Sequence, residues 1–251
     1  MYKKRIIYII IFLLIFATSF IVFINKAFLY SGMPTHHGLT AEIIKFYNLY
    51  CDPDLTPRQI ELILRGSIDE DLLPRPMFHL YDPVYNRAPY GFFTAKQWAM
   101  DSGLQESAIT KFASLLFNIF GKGKFEYHGD YSWTANINNF VKNKEEEAWY
   151  GLGHILHLIE DMTVPAHSRN DHHIGGDPYE QWAGANNQNQ NYDWADYLYG
   201  ENYFPKHLYT ISKAFDDLAK YSNKYFFSKD SVIGTDLYKN YNWPKVVMEK
   251  Q

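Results

Sequence analysis

From Leu39 onward the apolar residues of this chain recur at three- and four-residue spacing, and the period-two alternation that strands need is scarce. That pattern points to an all-α body. Leu39, Ile43, Ile44 and Tyr47 mark one helix with Thr40 placed to cap it, and Thr56-Pro57 opens a second that carries Ile60, Leu62, Ile63 and Leu64 to Gly66. Pro74, Pro76, Pro83 and Pro89 exclude a continuous helix from Pro74 to Tyr90, which reads as a long loop of the kind that carries function. Two long core helices are predicted, Thr94 to Phe120 and Asn139 to Asp161, the second stopped by Val164-Pro165. Asp177-Pro178 has the form of an N-cap followed by a first-turn proline, and Pro205 to Phe227 supplies a last long helix. No internal repeat is visible, and Ser228 to Gln251 has no clear period.

Ahead of this body, Lys3, Lys4 and Arg5 precede the uncharged run Ile6 to Ile24. Its length is close to the roughly 20 residues that cross a bilayer and exceeds the apolar core of about 7–15 residues in a cleaved signal. A membrane-inserting segment is expected, a signal peptide or a transmembrane anchor, with the length favouring the anchor. The basic cluster stays cytoplasmic by the positive-inside tendency, which places the body on the extracytoplasmic side, anchored or secreted. The organisation is then segment 1–26, a single domain over 33–230, and a tail over 231–251. Without Lys3, Lys4, Arg5 and Lys26 the chain carries 20 basic against 28 acidic residues, so no broad electropositive face for duplex nucleic acid is expected. Cys51 is the only cysteine, which removes disulfides and cysteine-based zinc sites. A metal here must be held by nitrogen and oxygen.

The densest chemistry lies between Gly153 and Glu180. His157 and Asp161 are four apart on a helix and project from one face, and a turn after Pro165 can return His167 toward the same point, making Asp161 a natural hub between ions. His154 shares the stripe, where a hydrogen-bonded core histidine is the more ordinary role. A second cluster, Asn170-Asp171-His172-His173 followed by Gly175-Gly176-Asp177-Pro178-Tyr179-Glu180, can close on a metal. Upstream, His36-His37, the acidic triplet Asp69-Glu70-Asp71 and His79-Leu80-Tyr81-Asp82-Pro83 are weaker pieces individually.

In their order, Thr35-His36, Glu70-Asp71, His79-Leu80-Tyr81-Asp82-Pro83, His157 with Asp161 and His167, and Tyr179-Glu180 resemble the zinc-dependent phospholipases C of bacteria, which share their fold with single-strand-specific zinc nucleases. The resemblance implies up to three zinc ions in the cleft of a helical domain. Carried over residue by residue, Asp71, His79, His157 and Asp161 hold one ion, His36 and Asp161 a second, and His167, Glu180 and a further histidine the third. That histidine usually stands four residues before the glutamate, where this chain has Gly176. His173 is taken for the role, with His172 and Asp177 as alternatives. The family also uses the amino and carbonyl groups of an N-terminal tryptophan, and no tryptophan lies between Met1 and His36. Asp71 is implied as the catalytic carboxylate that orients or deprotonates the attacking water. The expected activity is hydrolysis of a phospholipid or other phosphodiester. A single-strand nuclease or nucleotidase, and an anchored zinc-binding protein without turnover, remain as alternatives.

Overall fold

The computed structural model describes residues 32–72, 74–101, 103–109, 129–173, 177–187, 210–231 and Lys239. The expected membrane segment and most of the tail lie outside them. Among the described residues the elements are helices and 3-10 turns with no strand, and no helix is long and apolar enough to cross a membrane.

Helix α1 spans Gly32–Tyr50, so it begins ahead of the expected Leu39, and Thr40 lies inside it instead of capping it. The reason is what faces inward. His36, Thr40 and Ile44, four residues apart, are buried, whereas Leu39, Ile43 and Tyr47 are each about two-fifths exposed. The stripe that packs is offset by one residue from the apolar stripe and is mostly polar, because it builds a site.

Helix α2, Pro57–Asp69, starts as expected: Thr56 and Gln59 form a reciprocal capping box with Pro57 in the first turn. It runs past Gly66, whose role is contact and not termination. A Cβ at Gly66 would sit 1.9 Å from the Tyr150 carbonyl oxygen, and one at Gly153 would sit 2.0 Å from that of Ile63. The backbones of α2 and the later helix carrying Gly153 therefore meet directly, and this crossing sets Ser67 to Asp71 beside His154 and His157.

The expected helix Thr94 to Phe120 is broken early. Thr94 caps the short α3, Ala95–Met100, after which Asp101 is extended and Gly103 adopts φ +82°. Residues 104–109 resume helix, and the remainder of that span lies outside the described residues. The expected helix Asn139 to Asp161 is likewise two helices, α4 Trp133–Val141 and α5 Glu145–Asp161. Asn143 at φ 57° lets its N–H reach the Phe140 carbonyl and that of Lys144 reach the Asn139 carbonyl, the double bond of a Schellman stop. Glu145, Glu146 and Glu147 then open α5 where a helix dipole favours negative charge.

After Val164 the chain makes the single turn α6, Pro165–Ser168, and then α7, Pro178–Asn187, begins with Asp177 Oδ1 accepting from the Tyr179 and Glu180 N–H groups. Helix α8, Ile211–Tyr225, is capped by Thr210; the expected start at Pro205 lies outside the described residues. Ser231 is buried and hydrogen-bonded to Arg169, so the first residue assigned to the tail packs into the body.

The core centres on Trp98, stacked on Phe78 with ring centroids 4.1 Å apart and surrounded by Ile155, Leu158, Met162 and Phe215. Each such side chain contributes about 1.5–3 kcal/mol when fully buried. α5 thus has two working faces: Ile155 and Leu158, with Met162 just past its end, fill the core while His157 and Asp161 turn toward α1 and α2. The proline-rich loop is pinned to α6 and to the start of α3. Its turns Arg75–Phe78 and Pro89–Gly91 flank a segment in which the Tyr81 N–H donates to the His167 carbonyl, and the Leu80 carbonyl accepts from Ala95. His79 is held over the end of α5 by these bonds.

Candidate metal centre

Among the described residues three groups of side chains present ligand atoms within 4.8 Å of one another: His36, Asp71 and His157; His79, His157 and Asp161; His167, His173 and Glu180. The eight residues carried over as ligands from the sequence each belong to at least one of them, and the alternatives His172 and Asp177 belong to none. Asp71 gathers with His36 and His157 rather than chiefly with His79, from whose Nδ1 its Oδ1 stands 3.9 Å.

Asp161 is the hub. Its Oδ1 lies 3.5 Å from His36 Nε2 and 3.2 Å from His167 Nδ1, and its Oδ2 lies 3.0 Å from His79 Nδ1 and 3.6 Å from His157 Nε2. Four imidazoles, carried by α1, the proline-rich loop, α5 and α6, therefore converge on one carboxylate at the last residue of a helix. Glu180 joins His167 to the remaining histidine, His173, with Oε1 3.0 Å from His167 Nε2 and Oε2 3.4 Å from His173 Nε2. Zinc bonds of about 2.0–2.2 Å at tetrahedral angles put neighbouring nitrogen and oxygen ligands roughly 3.3–3.5 Å apart. Most of these separations lie near that spacing, and several are too long for good hydrogen bonds.

The donor set fits a metal in a second respect. Asp71 Oδ2, His157 Nε2, Asp161 Oδ2, His167 Nδ1 and Glu180 Oε2 are buried without a hydrogen-bond partner. Leaving polar atoms so is costly, about 1–3 kcal/mol for each, and five in one cluster calls for a common partner. The ring orientations agree. A carbonyl can only accept, so the contacts of His157 Nδ1 with Ser67 O at 2.6 Å and of His173 Nδ1 with Asp171 O at 2.7 Å put both protons on Nδ1. The Nε2 lone pairs then point into the groups, the arrangement that outer hydrogen bonds impose on metal-binding histidines.

No family model, curated protein or solved structure matches this chain. The chemistry of the centre is read from its own electrostatics. For the chain by itself, burial raises the Asp71 carboxyl to about 6, against the pull of His36 and His79. Burial works the other way on His79, but the Asp161 charge overrides it and lifts the imidazole to about 9. Asp161 stays well below the usual carboxylate range despite its burial, because His167, His157 and His79 surround it.

The neighbouring candidates take other roles. His172 stacks on Tyr90 with ring centroids 4.6 Å apart, and Asp177 is spent capping α7, which leaves His173 as the histidine facing His167 and Glu180. Of the acidic triplet, Asp69 accepts from the Tyr150 hydroxyl and Glu70 is enclosed by Arg75, Trp98 and His154, so Asp71 alone joins the metal groups. His154 pairs with Glu70 and packs on Tyr131, and burial pushes it down to about 4. Two carboxylates that the sequence reading did not assign to the centre support it from behind: Glu160, bonded to His36 Nδ1, and Glu70, 3.6 Å from His79 Nε2. The signal for Glu160 was an acid placed between the apolar Leu158 and Ile159 and the hub Asp161.

Proposed function

We propose that this protein is a zinc-dependent phosphodiester hydrolase of the phospholipase C type. The observation that carries the reading is the convergence of His36, His79, His157 and His167 on Asp161, each within 3.6 Å. The motif order that resembles the family, the helical body and the three ligand groups support it together. Nitrogen-rich sites of this kind suit zinc, whereas magnesium and calcium favour all-oxygen shells.

Bound zinc would supply water that deprotonates near neutral pH and positive charge for phosphoryl oxygens. His36, Asp71, His157, His79, Asp161, His167, His173 and Glu180 would hold up to three ions. Three carboxylates do not offset three divalent ions, so a loaded centre attracts an anionic ester. Asp71 differs from the other two acids: its side chain keeps 27% exposure against 1% for Asp161 and 2% for Glu180. It is the least enclosed acid of the ligand groups, and its partnerless, buried Oδ2 is the atom assigned to take the proton of attacking water. The predicted membrane segment and the acidic body favour a lipid substrate over nucleic acid, and an extracytoplasmic location.

The full chain, purified in detergent with zinc, should release a phosphorylated headgroup from phospholipid in mixed micelles. Mononucleotides from single-stranded DNA, with no lipid cleavage, would replace this activity with the nuclease reading; zinc binding with neither product would favour the anchored binding protein. Asp71→Asn should lower kcat by about 10²–10⁴, the range for removing a general base, while the group of His167, His173 and Glu180 keeps its ion. Near-wild-type kcat in this variant would remove Asp71 from proton transfer.

Zinc affinity should also depend on pH with a definite sign. Binding displaces the proton that His79 holds below about pH 9 and, further down, the one that Asp71 holds below about pH 6. Apparent affinity should therefore rise by about tenfold per unit from pH 6 to 8 and level off above pH 9, as expected when one proton leaves per ion. A chelator-competition titration reads this directly, and a flat profile would contradict the proton displacement.

A further inference from the structure

We infer that Glu160 is the positioning residue of the His36 ligand group: with Thr40 and Ser67 it holds the His36 proton on Nδ1 and turns the Nε2 lone pair toward Asp71, Asp161 and His157. The consequence for metal binding rests on the zinc reading above; the orientation of the ring does not.

The parts form one continuous chain of hydrogen bonds. His36 Nδ1 donates to Glu160 Oε2 at 2.7 Å, and the Thr40 hydroxyl donates to Glu160 Oε1 at 2.8 Å. Because that proton is committed to a carboxylate, the Thr40–Ser67 contact of 2.9 Å must use the Ser67 hydroxyl as donor. The Ser67 carbonyl in turn accepts from His157 Nδ1. His36 and His157 themselves stack, with ring centroids 3.7 Å apart and planes 20° from parallel. One polar chain through α1, α2 and α5 thus fastens the backs of two imidazoles whose fronts face Asp71. The participating side chains are buried, so water does not compete for these bonds.

Geometry separates positioning from ligation. The two nitrogens of an imidazole point in divergent directions, so a carboxylate on Nδ1 faces away from an ion on Nε2. Glu160 and Asp161 are neighbours on α5, about 100° apart around its axis. The last turn of α5 therefore grips His36 from both sides, Glu160 at Nδ1 and Asp161 at Nε2, 3.5 Å away. Without the outer carboxylate the ring can flip or carry its proton on Nε2, and a protonated Nε2 cannot bind a metal.

The test compares the full wild-type chain with Glu160→Ala, Glu160→Gln and Thr40→Val in detergent, using zinc titration against a chelating dye and nitrogen-15 spectra of the histidine rings. Glu160→Ala should weaken one zinc step about 10–100-fold, the usual cost of losing an outer partner, with the remaining steps preserved. Its His36 signal should move from the Nδ1–H pattern to a mixture of tautomers, a change that a merely structural role would not produce. Glu160→Gln keeps an acceptor for His36 and should recover most of the affinity and the Nδ1–H signal. Thr40→Val frees one carboxylate oxygen and should give a smaller loss in the same step, which keeps the test alive if Glu160→Ala does not fold. Unchanged zinc steps and an unchanged tautomer in Glu160→Ala would overturn the proposal while leaving the metal reading intact. A wild-type chain that takes no zinc would overturn the metal reading, and the tautomer comparison, which needs no ion, would still decide the role of Glu160.

Discussion

Asp161→Asn is expected to cut phosphodiester turnover by about a thousandfold, equivalent to about 4 kcal/mol in the barrier, and to lower the zinc content of the protein. The substitution changes almost no volume, so packing against α2 and α6 should survive. Its effect is electronic. Asp161 Oδ1 faces His36 and His167 while Oδ2 faces His79 and His157. An amide can offer oxygen to only one of these pairs and must turn its NH₂ toward the other. Whichever way the amide lies, two imidazoles meet a donor where an ion needs an acceptor, and the carboxylate charge that would bridge two ions is gone. The residue is 1% exposed, so water does not take the place of the missing oxygen. Elemental analysis should find fewer zinc ions per chain than in wild type, and a melting curve in chelator should remain cooperative. Full zinc occupancy with wild-type turnover would remove Asp161 from the centre of this chemistry.

How far the sequence discloses this arrangement depends on whether the information is local. Thr56-Pro57, Val164-Pro165 and Asp177-Pro178 could be read directly, because capping and the missing proline N–H act within a few residues. The same locality made His157 and Asp161 legible as a pair on one face. The α1 start was misread because its inward stripe, His36-Thr40-Ile44, is polar where a packing helix is expected to be apolar. Only the partners Glu160 and Ser67, far away in sequence, explain why Thr40 is buried. The stop at Asn143 did have a local signal, since asparagine tolerates the left-handed conformation, but the apolar period continued across it and dominated the reading. The choice of His173 over His172 was not local at all: it depends on Tyr90 occupying the His172 ring.

Gly153→Ala should destabilise the protein by about 3 kcal/mol and weaken zinc binding together, although the residue touches no ligand atom. Helix propensity alone argues for the opposite sign, since alanine gains roughly 1 kcal/mol over glycine inside a helix. Contact geometry outweighs it. The new Cβ would stand 2.0 Å from the Ile63 carbonyl oxygen and 2.7 Å from the Ser67 nitrogen, and both are backbone atoms of α2 that cannot rotate away. Ordinary contact requires α2 and α5 to separate by more than about 1 Å, in a core whose close packing offers little room to relax. The separation falls beside the His157 Nδ1 bond to Ser67 O, which is 2.6 Å long, and Asp71 moves with the end of α2. Thermal melting with and without zinc separates the two effects: a lower midpoint in chelator reports the helix contact, and a smaller zinc-induced rise reports the displaced ligands. A variant that loses stability yet binds zinc as wild type does would show that the glycine crossing holds the fold without setting the metal geometry.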